Sequence, residues 1–120
     1  MIVNTIQLSQ WRKIKDTDIE LIDTTVKSGI EAFAPTWDMV KGVKEGTMSE
    51  EEYTSLYKQK MIRSYMTNQL VWNSLINKDK VAIACYCKPS EFCHRHLLVN
   101  YLKKLCEHNE IEFVYAGEIE

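Results

Sequence analysis

The sequence predicts an α/β fold in a single domain spanning residues 1–120, with about four mostly parallel strands covered by helices. Three observations predict it. Short β-branched runs alternate along the chain with longer segments of three- and four-residue apolar periodicity. The run Val81 to Cys87 (VAIACYC) lacks polar-out alternation, the pattern of a central strand buried on both faces. The length of 120 residues suits one hydrophobic core and not two.

The elements follow in order. Met1 to Leu8 (MIVNTIQL) is rich in strand formers, anchored by Ile2, Val3 and Ile6. The polar piece QWRKIKD after Ser9 is expected to make one or two helical turns. Ile19 to Val26 (IELIDTTV) reads as a second strand closed by Ser28-Gly29, with Asp23 either on a solvated edge or satisfied near a site. Ile30 to Trp37 (IEAFAPTW) has no clean period and is broken by Pro35. It is expected to be an apolar loop that lids the core, with Trp37 as the alternative aromatic wall of a ligand site.

Ser49 followed by Glu52 forms a capping box, so a helix is expected to begin there. Tyr53, Leu56, Tyr57, Met61, Ser64, Tyr65 and Asn68 recur at helical spacing and share a face, which makes them core packing first. Lys58, Lys60 and Arg63 fill the other faces. Leu70 to Ile76 continues as a second helical segment, ended by the polar turn Asn77 to Lys80. After the strand Val81 to Cys87, Glu91 to His108 is the clearest helix, and Ile111 to Tyr115 closes the chain as a last strand.

Composition bounds the function. The apolar share is 45%, the charged share 27% and the formal charge −2, which excludes a protein that coats nucleic acid by bulk electrostatics. A local basic face at Lys58 to Arg63 leaves nucleic acid as a secondary partner. No basic-then-apolar leader and no membrane-length apolar run is present, so the expected setting is the cytoplasm, with no membrane partner. The four cysteines crowd into one end, as reduced thiols would rather than a stapled secreted scaffold.

The chemistry concentrates in VAIACYCKPSEFCHRH. Period-two alternation puts Val81, Ile83, Cys85 and Cys87 on one face and Ala82, Ala84 and Tyr86 on the other. The cysteines then emerge at the carboxyl end of the strand, where open α/β sheets bind ligands. Ser90 is the expected cap of the helix, leaving the first-turn amides of Glu91, Phe92 and Cys93 to an anion.

Three readings compete. The first is a phosphate or nucleotide site on Arg95 and Lys88, with Arg63 as a further cation. The ligand-binding set on that reading is Cys85, Cys87, Lys88, Cys93, Arg95, Ser28, Trp37, Tyr57 and Arg63. The second is a reactive thiol, Cys93, with His94 as base. The third is zinc on Cys85, Cys87, Cys93 and His96 or His94, a set whose spacing departs from paired C-x2-C motifs. Against all three stands a plain packing role, with the cysteines as small buried hydrophobes and His94 as a satisfied core histidine. Cys106 and His108 are read as structural.

The strand with its C-x-C, then K-P-x-E-F-C-H-R opening a helix, resembles the domain of unknown function 488 family. The residues that carry the resemblance are Cys85, Cys87, Cys93, His94 and Arg95, with the APTW around Trp37 and Tyr53, Tyr57 and Ser64 similar to its short phage-type branch. The resemblance implies a Rossmann-like fold with a pocket at the carboxyl edge of the sheet, and it implies neither a reaction nor a cofactor. In the phage-type setting it implies sequestration of a host nucleotide signal as one version of binding, with anti-defence as the role. Asp23 is followed here by Thr24 and Thr25, where longer relatives often carry an arginine; if that arginine serves catalysis, this chain would keep binding without turnover. The leading expectation is a pocket for an anionic, nucleotide-like small molecule. A cysteine-dependent enzyme acting on a nucleotide or nucleic acid is the rival, and a small structural zinc protein the third. A homo-oligomer is the expected assembly.

Overall fold

Strand-forming sequence at four places lays down one parallel sheet, in the order β2-β3-β1-β4. The strands are β1 (Ile2–Gln7), β2 (Glu20–Asp23), β3 (Lys80–Cys85) and β4 (Val114–Ile119). The structure, a computed structural model, describes residues 1–88 and 91–120. Among the described residues four helices join them: α1 (Trp37–Glu45), α2 (Glu50–Thr67), α3 (Gln69–Ile76) and α4 (His94–His108). Short 3-10 turns occupy Leu8–Lys13 and Glu31–Phe33. The expected α/β architecture, with a wholly parallel Rossmann-like sheet, is the architecture found.

β3 is the buried strand that its composition required. It pairs with β1 on one side and β2 on the other, and Val81 to Cys85 are all buried. Its two faces divide as period two demands. Val81 and Ile83 join the larger core with Tyr57, Met61, Trp72, Leu98 and Leu102, under α2, α3 and α4. Ala82 and Ala84 join a thinner core with Ile6 and Ile14, where the short 3-10 segment packs close. Small side chains on that face let the thin cover approach.

Helix α2 begins as expected, with Ser49 Oγ accepting from the Glu52 amide at 3.0 Å. Its buried face, Tyr53, Tyr57, Met61 and Ser64, is part of the stripe expected from the sequence; Leu56 and Asn68, placed on it there, are exposed, and Tyr65 is half-buried. Two hydroxyls on that face pin the apolar segment before α1. Tyr57 donates to the Phe33 carbonyl at 2.7 Å, and Ser64 donates to the Ala32 carbonyl at 2.6 Å while accepting from Trp72 Nε1. Ala32, Phe33 and Ala34 are therefore core, the lid that the apolar loop implied.

Several boundaries differ from expectation. β3 is Lys80–Cys85 and not Val81 to Cys87, so Tyr86 and Cys87 lie beyond the strand. β2 stops at Asp23 because Thr24 to Gly29 folds back on it, the Gly29 amide bonding the Thr25 carbonyl and the Ile30 amide the Asp23 carbonyl. The segment expected as a loop to Trp37 ends one residue earlier. Thr36 Oγ1 accepts from the Met39 amide and starts α1 there. α4 begins at His94 and not at Glu91, because Cys93, in extended backbone, is its N-cap. Ser90, expected to cap it, lies outside the described residues. The last strand is Val114–Ile119 and not Ile111 to Tyr115. The Ile111 amide first closes the end of α4 on the Cys106 carbonyl, and pairing to β1 begins only at Val114.

No helix among the described residues is long and apolar enough to cross a membrane.

Candidate active site

The carboxyl ends of β2 and β3 meet the first turn of α4, and the site is built from those three ends. β3 delivers Cys85 as its last residue. α4 opens with Cys93 as cap and His94 and Arg95 as its first two residues. β2 delivers Asp23 and, just beyond it, Thr24. All of Cys85, Cys93, His94, Arg95 and Thr24 are buried.

The histidine is held from behind. His94 Nε2 lies 2.9 Å from the Thr24 carbonyl oxygen and 2.9 Å from Thr24 Oγ1. The carbonyl can only accept, so Nε2 carries the proton. Thr24 Oγ1 in turn donates to the Ala84 carbonyl at 2.8 Å. Burial lowers the His94 pKa from 6.5 to about 4, outweighing the opposing hydrogen bond to the Thr24 carbonyl, with smaller lowering contributions from Arg95 and Lys60, so the ring is neutral near pH 7. A neutral ring protonated at Nε2 presents a lone pair at Nδ1, and Nδ1 faces Cys93 Sγ at 3.6 Å.

Arg95 is fully buried, with no exposed area. Its Nε and Nη2 donate to the two carboxylate oxygens of Glu118 on β4, each at 3.2 Å. Its Nη1 donates to Cys85 Sγ at 2.7 Å and to the Cys87 carbonyl at 2.9 Å. The fork is thus engaged by the protein itself, which is how a buried guanidinium is tolerated. Cys85 Sγ and Cys93 Sγ meet at disulfide contact, with Cα atoms 7.8 Å apart, where the sequence suggests reduced thiols throughout; Cys87 and Cys106 are free.

In front of Cys93 and His94 opens a cavity of about 150 Å³. Cys85 and Cys87 reach it, aromatic walls come from Trp37, Tyr53, Tyr86 and Phe92, and Lys27, Lys44 and Glu91 supply its charges. Trp37 is 52% exposed. It is the one aromatic of the Ile30 to Trp37 segment that serves the cavity, whereas Phe33 serves the core.

The structure brings Cys85, Cys87, Cys93, His94 and Trp37 together around this cavity. Others lie apart from it. Ser28 donates to Asp23 Oδ2 at 2.7 Å, in a closed network with Thr25 that shapes the turn after β2. Tyr57 stands behind His94, ring centroids 5.5 Å apart, with its hydroxyl spent on Phe33. Lys88 and Arg63 are exposed and do not line the cavity. The Cys87 thiol has its pKa raised, chiefly by burial and then by the Glu91 carboxylate.

Metal-ligating atoms converge differently from the sequence expectation. Cys85 Sγ, Cys93 Sγ and a His94 ring nitrogen lie within 4.8 Å of one another, while Cys87 and His96 are not in that group. The donor types suit a soft ion. The Arg95 guanidinium against Cys85 works against a second cation there.

The sequence did not single out the cavity-lining Lys27, Lys44 and Tyr86, nor two residues that hold the site from behind. Thr24 was noted only for standing where an arginine was expected; its place immediately after a strand-end aspartate is the signal that could have found it. Glu118 had no signal, since only the placing of β4 beside β1 brings it to Arg95.

The chain belongs to the DUF488 family: the family model described as the active DUF488-N3 subclade matches residues 8–105, most of the chain and all of the site except Glu118. No curated protein and no solved structure gave a match to it.

Proposed function

We propose that this DUF488 member is a thiol-dependent enzyme, in which Cys93 attacks an electrophilic centre of a small molecule and His94 takes its proton. One observation carries the reading: the 3.6 Å approach of Cys93 Sγ to the unprotonated nitrogen of a histidine whose other nitrogen is fixed by Thr24. Nucleophile, base and orienting group stand in sequence, the arrangement by which weak nucleophiles are activated. The proton passes from Sγ to Nδ1, the thiolate forms the new bond, and the imidazolium returns the proton to the leaving group. The subclade's description as active agrees with turnover.

The cavity walls support a flat ring with an anionic group, which is the nucleotide-like class. The aromatic side chains of Trp37, Tyr86 and Phe92 suit a ring, and Lys27 and Lys44 outnumber the Glu91 carboxylate among the lining charges. The same walls support a second reading, in which the site holds a nucleotide-like molecule without turnover, as a phage protein sequestering a host signal would. Calorimetry with a panel of nucleotides and cyclic nucleotides, followed for product, separates the two.

The primary test is thiol-specific alkylation with iodoacetamide at neutral pH, mapped by peptide mass. Cys93 reacts first, and His94→Asn slows it. Cys87 is the more exposed thiol, so labelling that goes to Cys87 before Cys93 would falsify the nucleophile assignment.

A further inference from the structure

Cys85 has no part in the Cys93–His94 pair, yet it lies in the same buried group and is equipped differently. Its Sγ accepts a hydrogen bond from the Arg95 guanidinium. The same Nη1 also donates to the Cys87 carbonyl, so the guanidinium fixes this sulfur against the carboxyl end of β3. Cys93 has a base at hand and Cys85 a fixed cation, and the two sulfurs touch. Both also reach the cavity, so a small oxidant that meets one is beside the other.

We propose that Cys85 is the resolving thiol of Cys93, so that the site reacts with hydroperoxides and closes reversibly into a Cys85–Cys93 disulfide that switches the nucleophile off. The proposal rests on the reading of Cys93 as the reactive thiol.

The chemistry balances in three steps. The Cys93 thiolate attacks the distal oxygen of a hydroperoxide; the O–O bond breaks, Cys93 becomes a sulfenic acid, and the alkoxide or hydroxide leaves with one proton as alcohol or water. The Cys85 thiolate then attacks Cys93 Sγ, forming the S–S bond and expelling the sulfenic oxygen, which takes a proton and leaves as water. The two electrons lost by the sulfurs are those that reduced the peroxide. An external dithiol restores both thiols by two exchanges, itself ending as a disulfide.

The geometry assigns the moving part. The Cα atoms, 7.8 Å apart, stand beyond the span of a relaxed disulfide. Cys85 is the last residue of a strand paired on both sides, whereas Cys93 is a helix cap preceded by Glu91 and Phe92 outside any regular element. The sulfurs already meet, so closure needs only local adjustment, and Cys93, outside regular structure on its N-terminal side, is the side that supplies it. Without a resolving partner, a sulfenic acid at Cys93 would climb to the irreversible sulfinic stage.

The test is stepwise oxidation of the intact protein with hydrogen peroxide, followed by peptide mapping with and without dithiothreitol. Wild type is expected to give a Cys85–Cys93 linkage, with Cys93 alkylation lost and then regained on reduction. Cys85→Ser is expected to accumulate a dimedone-reactive Cys93 that passes to an unrecoverable sulfinic acid. Oxidation of Cys93 in wild type without linkage to Cys85, or with linkage to Cys87, overturns the resolving role and leaves the nucleophile reading intact. A Cys93 inert to both peroxide and iodoacetamide overturns both. Should Cys85→Ser not fold, the wild-type map alone decides.

Discussion

Thr24 holds His94 by two of its own atoms, the carbonyl and the hydroxyl each 2.9 Å from Nε2. That double contact decides which ring nitrogen faces Cys93. It also couples the end of β2 to the first turn of α4, seventy residues away in sequence.

Removing the hydroxyl should therefore reach the thiol without touching it. Thr24→Val keeps the carbonyl contact and loses the bonds to Ala84 and to the ring. We expect Cys93 alkylation at neutral pH to slow by about tenfold, roughly the worth of one net hydrogen bond. The urea midpoint should fall by the equivalent of about 1–2 kcal/mol. An unchanged alkylation rate in a folded Thr24→Val protein would show that the hydroxyl does not position the base.

The depressed pKa of His94 sets an acid limit on stability. In the unfolded chain the ring takes a proton near 6.5, and in the folded protein only near 4, chiefly because burial disfavours the charged form. Between those values the unfolded state binds more protons, so stability is fully present above about 6.5 and is lost as pH falls toward 4. The full shift is worth about 3 kcal/mol. The pKa of His96, half-buried beside Arg95, is lowered as well and adds in the same direction. Urea unfolding at stepped pH should show this loss in wild type and a shallower one in His94→Asn; equal slopes would exclude His94 as the main source.

What the sequence made legible was local. The capping box at Ser49 needs only four consecutive residues, and the split of Val81 and Ile83 from Ala82 and Ala84 needs only the period of a strand. The Cys93-His94-Arg95 block was visible as a site because helix starts concentrate donors. The roles inside it were not. An arginine at a helix start could grip an anion or a carboxylate of its own chain, and the choice depends on Glu118, delivered by a strand whose place beside β1 no local pattern encodes. The start of α4 slipped for a related reason: Cys93 holds extended backbone as the N-cap, a conformation that the apolar spacing of the helix does not encode.

Arg95 accordingly should behave as a structural ion in mutagenesis. Arg95→Ala strips Glu118 of its partner and Cys85 of its donor in a buried setting, a loss of about 3–5 kcal/mol. Replacing both ions together, Arg95→Met with Glu118→Leu, should recover much of that loss, since apolar pairs of similar volume often match buried ion pairs. Thermal melts of Arg95→Met, Glu118→Leu and the double variant form the cycle. Additive losses with no recovery would show that the pair is not coupled, and a fully stable Arg95→Ala that fails only in ligand binding would return Arg95 to an anion-gripping role.

Gly29 joins stability to the site through the backbone alone. A methyl group there would overlap the backbone of Thr25 and Asp23, neither of which can swing aside as a side chain could. Those atoms are fixed by the network of Asp23, Thr25 and Ser28. Gly29→Ala must therefore push the turn that carries Thr24, costing about 2–3 kcal/mol and displacing the support of His94. Gly46, the left-handed C-cap of α1, supplies the contrast, because its Cβ would meet nothing within 4 Å. Gly46→Ala should cost only about 1 kcal/mol of backbone strain. Urea midpoints should fall in both variants, whereas Cys93 alkylation should slow only in Gly29→Ala. Equal alkylation in the two would mean that the turn after β2 can move without disturbing the base.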